Sequence, residues 1–167
     1  MTNTYKCALG GIISALALTI MVSAAIIPFL TYILPAISGA LTLVIVKKCG
    51  SRWAFGVYSA VAILAIFLVP DKEIAVMYLA FFGYYPILKL FCEKHIKKFP
   101  ALLVKTGAFV VTMVVSYYLM IRLMGLTIDE TEEWGIYAYP ILLSMGTAAF
   151  WMYDFVLTKV QALDFRF

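Results

Sequence analysis

Most charged residues in this chain fall in short connections between long apolar runs, and that segregation restricts the possible folds more than any motif does. Runs of roughly 20 apolar residues match the length of helix that crosses a bilayer. In lipid, every backbone polar group must be satisfied by the protein itself, which leaves only helices and closed barrels as spanning structures. Barrel strands alternate in polarity over about ten residues, whereas these runs are continuously apolar, so helices follow. Composition agrees. The chain is 65% apolar and 13% charged with a mean hydropathy of +1.00, against about half and a quarter for a soluble domain.

The runs predict an all-α polytopic membrane protein with six transmembrane helices, at 8–27, 30–46, 53–69, 74–92, 101–125 and 136–158, forming a single transmembrane domain over 1–167. The first run extends past the usual length of a signal peptide and lacks a small-x-small cleavage site, so it is expected to be a retained helix. The connections alternate in sign. Lys47, Lys48 and Arg52 follow the second run, and Glu93, Lys94, His95, Lys97 and Lys98 follow the fourth. The intervening connections are uncharged around Pro28, mixed at Pro70-Asp71-Lys72-Glu73, and acidic at Asp129, Glu130, Glu132 and Glu133. Lysine and arginine excess marks the cytoplasmic side, which places both termini inside, together with Lys6, Lys159 and Arg166. Cys7, Cys49 and Cys92 then all fall at cytoplasmic helix ends, where thiols stay reduced. The net charge of +4 belongs to inner loops facing anionic membrane lipid and gives no reason to expect a nucleic-acid partner.

Reactive groups are scarce. His95 is the only histidine, so neither a serine–histidine centre nor a multi-histidine metal site can be assembled in the spans. The sequence holds no His-Glu-x-x-His, no glycine-rich phosphate loop and no pair of glutamates in a span. We therefore expect no catalytic site, no metal site and no cofactor in this chain; it is not expected to be an enzyme.

What remains is polarity inside the spans. Asp154, near the inner end of the last helix, would cost about 2.5–3.5 kcal/mol at mid-membrane and less near the interface. Lys89 and Lys105 lie at similar depth, and either is a candidate for an intramembrane ion pair that fixes helix packing or couples at the cytoplasmic face. Arg122 stands near the outer end of the fifth span, with Tyr118 one turn before it. It either snorkels to the headgroups or binds an anionic group on an entering solute. Asp71, Tyr78, Tyr85 and Lys89 share one face of the fourth helix, a stripe unsuited to lipid, and Pro86 should kink that helix. Gly11, Ala15, Thr19 and Ser23 recur every fourth residue on the first helix, forming a smooth stripe for internal packing or for docking another protein. A similar row, Ala108, Thr112 and Ser116, is expected to be internal, and Ser38 to Thr42 is a weaker instance.

Six short helices, cytoplasmic termini and the small-residue stripe resemble the substrate-binding S components of energy-coupling factor transporters. Pro70-Asp71-Lys72-Glu73, then Phe81-Phe82-Gly83-Tyr84-Tyr85-Pro86-Ile87-Leu88-Lys89, then Tyr153-Asp154, is similar to an uncharacterised Gram-positive group of them. The resemblance implies a multi-pass subunit of the bacterial cytoplasmic membrane that captures a vitamin or other micronutrient from outside. Such a subunit docks on a transmembrane coupling subunit bound to two cytoplasmic ATPases, which use the ATP, and it topples in the membrane to release its cargo. Family members dock through alanine-x-x-x-alanine on the first helix; Gly11 and Ala15 occupy that spacing here, with glycine replacing the first alanine. No ligand-specific motif of a vitamin subfamily is present. On this reading the small-molecule solute would meet Asp71, Glu73, Tyr78, Tyr118, Arg122, Trp134 and Tyr137, on the outer connections and outer turns. The alternatives are a non-transporting scaffold of the cell-envelope machinery and a small self-sufficient secondary transporter. The second commonly carries inverted repeats, and the two halves of this chain show no such similarity.

Overall fold

The computed structural model describes residues 2–24, 30–95, 98–124 and 138–162, and the described residues are helical throughout apart from short turns. The helices are α1 (Asn3–Ser23), α2 (Ile33–Cys49), α3 (Ser51–Leu68), α4 (Lys72–Met77), a π-helical segment (Tyr78–Phe82), α5 (Tyr85–His95), α6 (Lys98–Met124) and α7 (Ala138–Ala162). No strand occurs among the described residues. Three helical stretches are long and apolar enough to cross a membrane: Asn3–Ser23, Ser51–Leu68 and Lys72–His95, the last comprising α4, the π segment and α5. Pro100–Ser116 within α6 is a shorter apolar stretch. The outer surface matches a lipid environment, since large apolar side chains such as Phe67, Leu103, Met145 and Met152 are among the most exposed.

The chain forms two compact units, one ending at Ile96 and one running from Lys97 to Asp164. In the first, α1, α2 and α3 pack on one another and on the α4–α5 stretch. Its core is rich in alanine: Ala17, Ala24, Ala62, Ala65 and Ala75 surround Met21, Val61, Val69, Ile74 and Tyr78. Small residues at helix contacts let backbones approach closely, which is how helices associate where lipid is as apolar as the core. Ile13, Ile45, Val46 and Ala54 form a second cluster nearer the basic end. Gly50 alone separates α2 from α3. Its φ of 93° is the left-handed conformation that favours glycine, and its N–H closes α2 onto the carbonyls of Ile45 and Val46 at 3.2 and 3.1 Å. Lys47 and Lys48 occupy the last turn of α2, where cations complement the helix dipole.

The opposite connection, between α3 and α4, closes on its own charges. Asp71 caps α4, its Oδ1 accepting from the Glu73 N–H at 2.9 Å. Lys72 Nζ donates to the carbonyls of Ile66 (2.8 Å) and Val69 (3.1 Å) at the end of α3. Glu73 Oε1 accepts from the Tyr32 hydroxyl at 3.3 Å. Each charge thus occupies groups that a helix terminus or its neighbour offers.

The second unit is the pair α6 and α7. The helices run antiparallel, with contacts in four-residue steps: Lys105 against Asp154, Phe109 stacked on Phe150 at 4.8 Å, and Met113 against Gly146. Thr112 and Ser116, half-buried, return their hydroxyls to the carbonyls of Ala108 and Thr112 at 2.6 and 2.8 Å.

Candidate functional site

The polar and aromatic centre of the first unit is built around a defect in its longest helical stretch. Pro86 has no N–H to give the carbonyl of Phe82, and its ring would clash with that carbonyl in a regular helix. The helix adjusts upstream. Tyr78–Phe82 widens to a π-helical turn closed by Gly83 N–H donating to Tyr78 O at 2.9 Å. After Gly83 and Tyr84 the chain restarts as α5, with Pro86 in its first turn, where a missing N–H costs least. The kink expected at Pro86 is therefore spread over the preceding eight residues. Widening a helix frees carbonyls, and one is re-satisfied from α3: the Tyr58 hydroxyl donates to Leu79 O at 2.6 Å.

Two glycines let neighbouring groups come this close. A Cβ on Gly39 of α2 would overlap the carbonyl of Phe82 and stand 2.7 Å from its carbon. Gly83 lies beneath the rings of Tyr58 and Tyr78, and a Cβ there would be 2.6 and 2.8 Å from their edges. The rings form a cluster, with Tyr58 centred 6.2 Å from Tyr78 and 6.3 Å from Tyr84, and Phe81 centred 4.8 Å from Tyr85.

The stripe that the sequence places on one face of the fourth span does turn inward. Tyr78, Tyr85 and Lys89 are fully buried, and Asp71 is half-buried at the head of α4. The Tyr78 hydroxyl has no hydrogen-bond partner. Thr42 of α2 stands beside it, but the two miss hydrogen-bond geometry. Leaving a buried donor unpaired costs about 1–3 kcal/mol, so this hydroxyl marks a polar point inside an apolar unit. Ser38, one turn earlier on α2 and fully buried, donates to Ala17 O of α1 at 3.0 Å. Ser38 and Thr42 thus belong to the core more firmly than their weak spacing signal suggests.

Lys89 pairs with Glu93 one turn on, at 2.9 Å. Asp154 pairs with Lys105 at 3.4 Å, with both side chains largely shielded. Lys105, one of the two lysines open to Asp154 from sequence, pairs with it. Among the described residues no three metal-ligating side chains come together, and the cysteines are free thiols.

On α1, Gly10, Ile13, Ala17 and Met21 are buried, while Gly11, Ala15 and Thr19 of the small-residue stripe are exposed and Ser23 is half-buried. Thr19 and Ser23 fold their hydroxyls back onto the carbonyls of Ala15 (2.9 Å) and Ile20 (2.7 Å), so the stripe presents a smooth surface.

The other expected solute contacts are distributed differently. Asp71 and Glu73 are engaged at the α3–α4 connection, and Tyr78 lies one to two turns deeper. Tyr118 is exposed on α6, Arg122 lies on the backbone of the same helix, and Trp134 and Tyr137 fall outside the described residues. The π segment is the feature that sequence reading missed; its signal was Gly83 and Pro86 closing an aromatic run. Compared with known proteins, the chain matches no family model, no curated protein and no solved structure.

Proposed function

We propose that this chain is a solute-binding membrane subunit of the kind its sequence resembles, an S component of an energy-coupling factor transporter. Six spans cross the bacterial cytoplasmic membrane with both termini inside. A micronutrient is captured from the outer side, and α1 docks on a transmembrane coupling subunit carrying two cytoplasmic ATPases. The observation that carries the reading is the two-faced α1. Gly10, Ile13, Ala17 and Met21 pack into the first unit, while a second row of small residues, Gly11, Ala15 and Thr19, is left exposed beside Ile12 and Leu16. An outward smooth stripe suits a second helix from elsewhere. On the solute side, the buried Tyr78 hydroxyl supplies a polar point for a group reaching the π segment of the first unit.

The test is co-purification. Wild-type protein extracted in mild detergent should carry coupling subunit, ATPases and a small molecule, each identified by native mass spectrometry. Ala15→Leu places a branched side chain on the stripe; assembly should fall at least about tenfold while the isolated subunit elutes unchanged, since overpacking a close helix contact costs about 1–3 kcal/mol. Full assembly of Ala15→Leu would remove the docking role, and wild-type protein that carries neither partner nor solute would favour a scaffold.

A further inference from the structure

A groove of about 430 Å³ opens between the N-terminal halves of α1 and α3; it is distinct from the aromatic centre and the solute contacts and shares Gly11 with the exposed stripe of α1. Its volume lies within the roughly 300–1,000 Å³ typical of small-molecule sites. The two helices run in the same direction there, so the mouth holds Lys6 and Arg52 while Ser14 and Ala60 mark the far end. Lys6 Nζ sits 5.9 Å from the centre of the Trp53 ring, a cation–π contact that draws the ammonium toward α3. Arg52 is exposed beside it, and no acidic residue lines the groove. Both helices begin at this mouth with no acid in the first turn and no side-chain cap, so two positive helix ends add to two cations.

The body of the groove exists because side chains are missing from it. A Cβ on Gly11 or Gly56 would meet nothing within 4 Å, whereas one on Gly10 would press on Val57 at 3.1 Å. Gly10 is thus where the helices close, forming a floor, and Gly11 and Gly56 keep the space above it open. The walls are otherwise mostly apolar. A cationic, acid-free mouth over an open apolar groove at the end of an apolar helix pair has the amphipathic pattern of one lipid molecule.

We propose that this groove binds an anionic phospholipid, its phosphate between Lys6 and Arg52 and one acyl chain along Gly11, Ser14, Gly56 and Ala60. The assignment does not depend on the transporter reading. Juxtamembrane basic groups attract anionic lipid at the membrane surface, each worth roughly fivefold in affinity; the groove adds a fixed seat for the chain below the headgroup.

The experiment is native mass spectrometry of full-length protein released from nanodiscs containing equal phosphatidylglycerol and phosphatidylcholine. Wild type should retain one phosphatidylglycerol in preference to phosphatidylcholine. Lys6→Ala/Arg52→Ala should lower that preference about thirtyfold, from roughly fivefold per cation. Gly56→Leu should abolish retention of the adduct while leaving elution and helicity unchanged; should it fail to fold, Ala60→Leu closes the channel from its far end. No preference in wild type, or the same adduct in both variants, overturns the proposal. Glycerol phosphate competing as well as the lipid, with Gly56→Leu silent, would show a headgroup-sized anion site and overturn the acyl seat. Dimers that Gly56→Leu converts to monomers, with no lipid adduct, would show a second copy of the chain in the groove and overturn it as well.

Discussion

Gly39 and Gly11 are both mid-helix glycines in a membrane protein, yet their surroundings assign them opposite tolerances. Gly39 faces the backbone of Phe82, which cannot move aside as a flexible side chain would, whereas Gly11 faces open space. Gly39→Ala should destabilise the protein by about 1–3 kcal/mol through overpacking, while Gly11→Ala should be neutral or slightly stabilising by relieving glycine's helix penalty. Thermal unfolding in detergent, followed by circular dichroism, separates the two, and equal effects would contradict the close approach. Sequence spacing alone ranks Gly11 as the more constrained residue, because it sits in a recurring small-residue row. The contact at Gly39 is with a backbone 43 positions away, and no local pattern announces it. The ionisable residues were more readable. An aspartate in an apolar helix demands a cation, and only lysines at matching depth qualified for Asp154. That Lys105 reaches Asp154 depends on α6 and α7 packing side by side, a contact 49 positions apart that no local pattern records.

Helices form here along the apolar runs, but one of them is not uniform. The π segment at Tyr78–Phe82, the break at Gly83 and the restart at Tyr85 are one adjustment to Pro86. The same adjustment sets the Phe82 carbonyl against Gly39. If that account holds, Pro86→Ala lets the helix tighten and relaxes the steric demand at Gly39. The Gly39→Ala/Pro86→Ala double variant should then be less destabilised than the sum of the singles, by at least about 0.5 kcal/mol, as a double-mutant cycle from the same melts would reveal. Strict additivity would separate the proline from the glycine. Sequence reading located the proline and its kink because missing donors have local consequences. It did not foresee widening upstream, which depends on Tyr58 reaching Leu79 O from another helix.

For the chain as a whole, the apolar runs and the described helices coincide closely. The ends differ by a few residues, as when α1 begins at Asn3 rather than at residue 8 and α7 continues to Ala162. Continuous hydropathy is a one-dimensional property, so helix placement is written locally; the division into two units is not, because it depends on which helices pack. The orientation proposed from charge alone is directly testable. In right-side-out vesicles Cys7, which is exposed, should resist a membrane-impermeant maleimide until the vesicles are opened, while a cysteine introduced at Thr131 in a Cys7→Ser background should react at once. The reverse pattern would invert the protein. Removing the α6–α7 ion pair should act on stability in a characteristic way: Lys105→Met alone should cost about 3 kcal/mol or more by stranding Asp154, whereas Lys105→Met/Asp154→Leu should recover most of the loss. Equal losses in single and double variants, read from the same melts, would show that the pair is worth more than apolar packing. The ladder that contains it has a further consequence. Because α6 and α7 meet every fourth residue, sliding one past the other by a single turn would bring Phe109 to Gly146 but set the Lys105 ammonium on the ring of Phe150. Two apolar helices in lipid have many nearly equivalent alignments, and this one charged rung distinguishes among them, serving as the catch that holds a sliding joint in register.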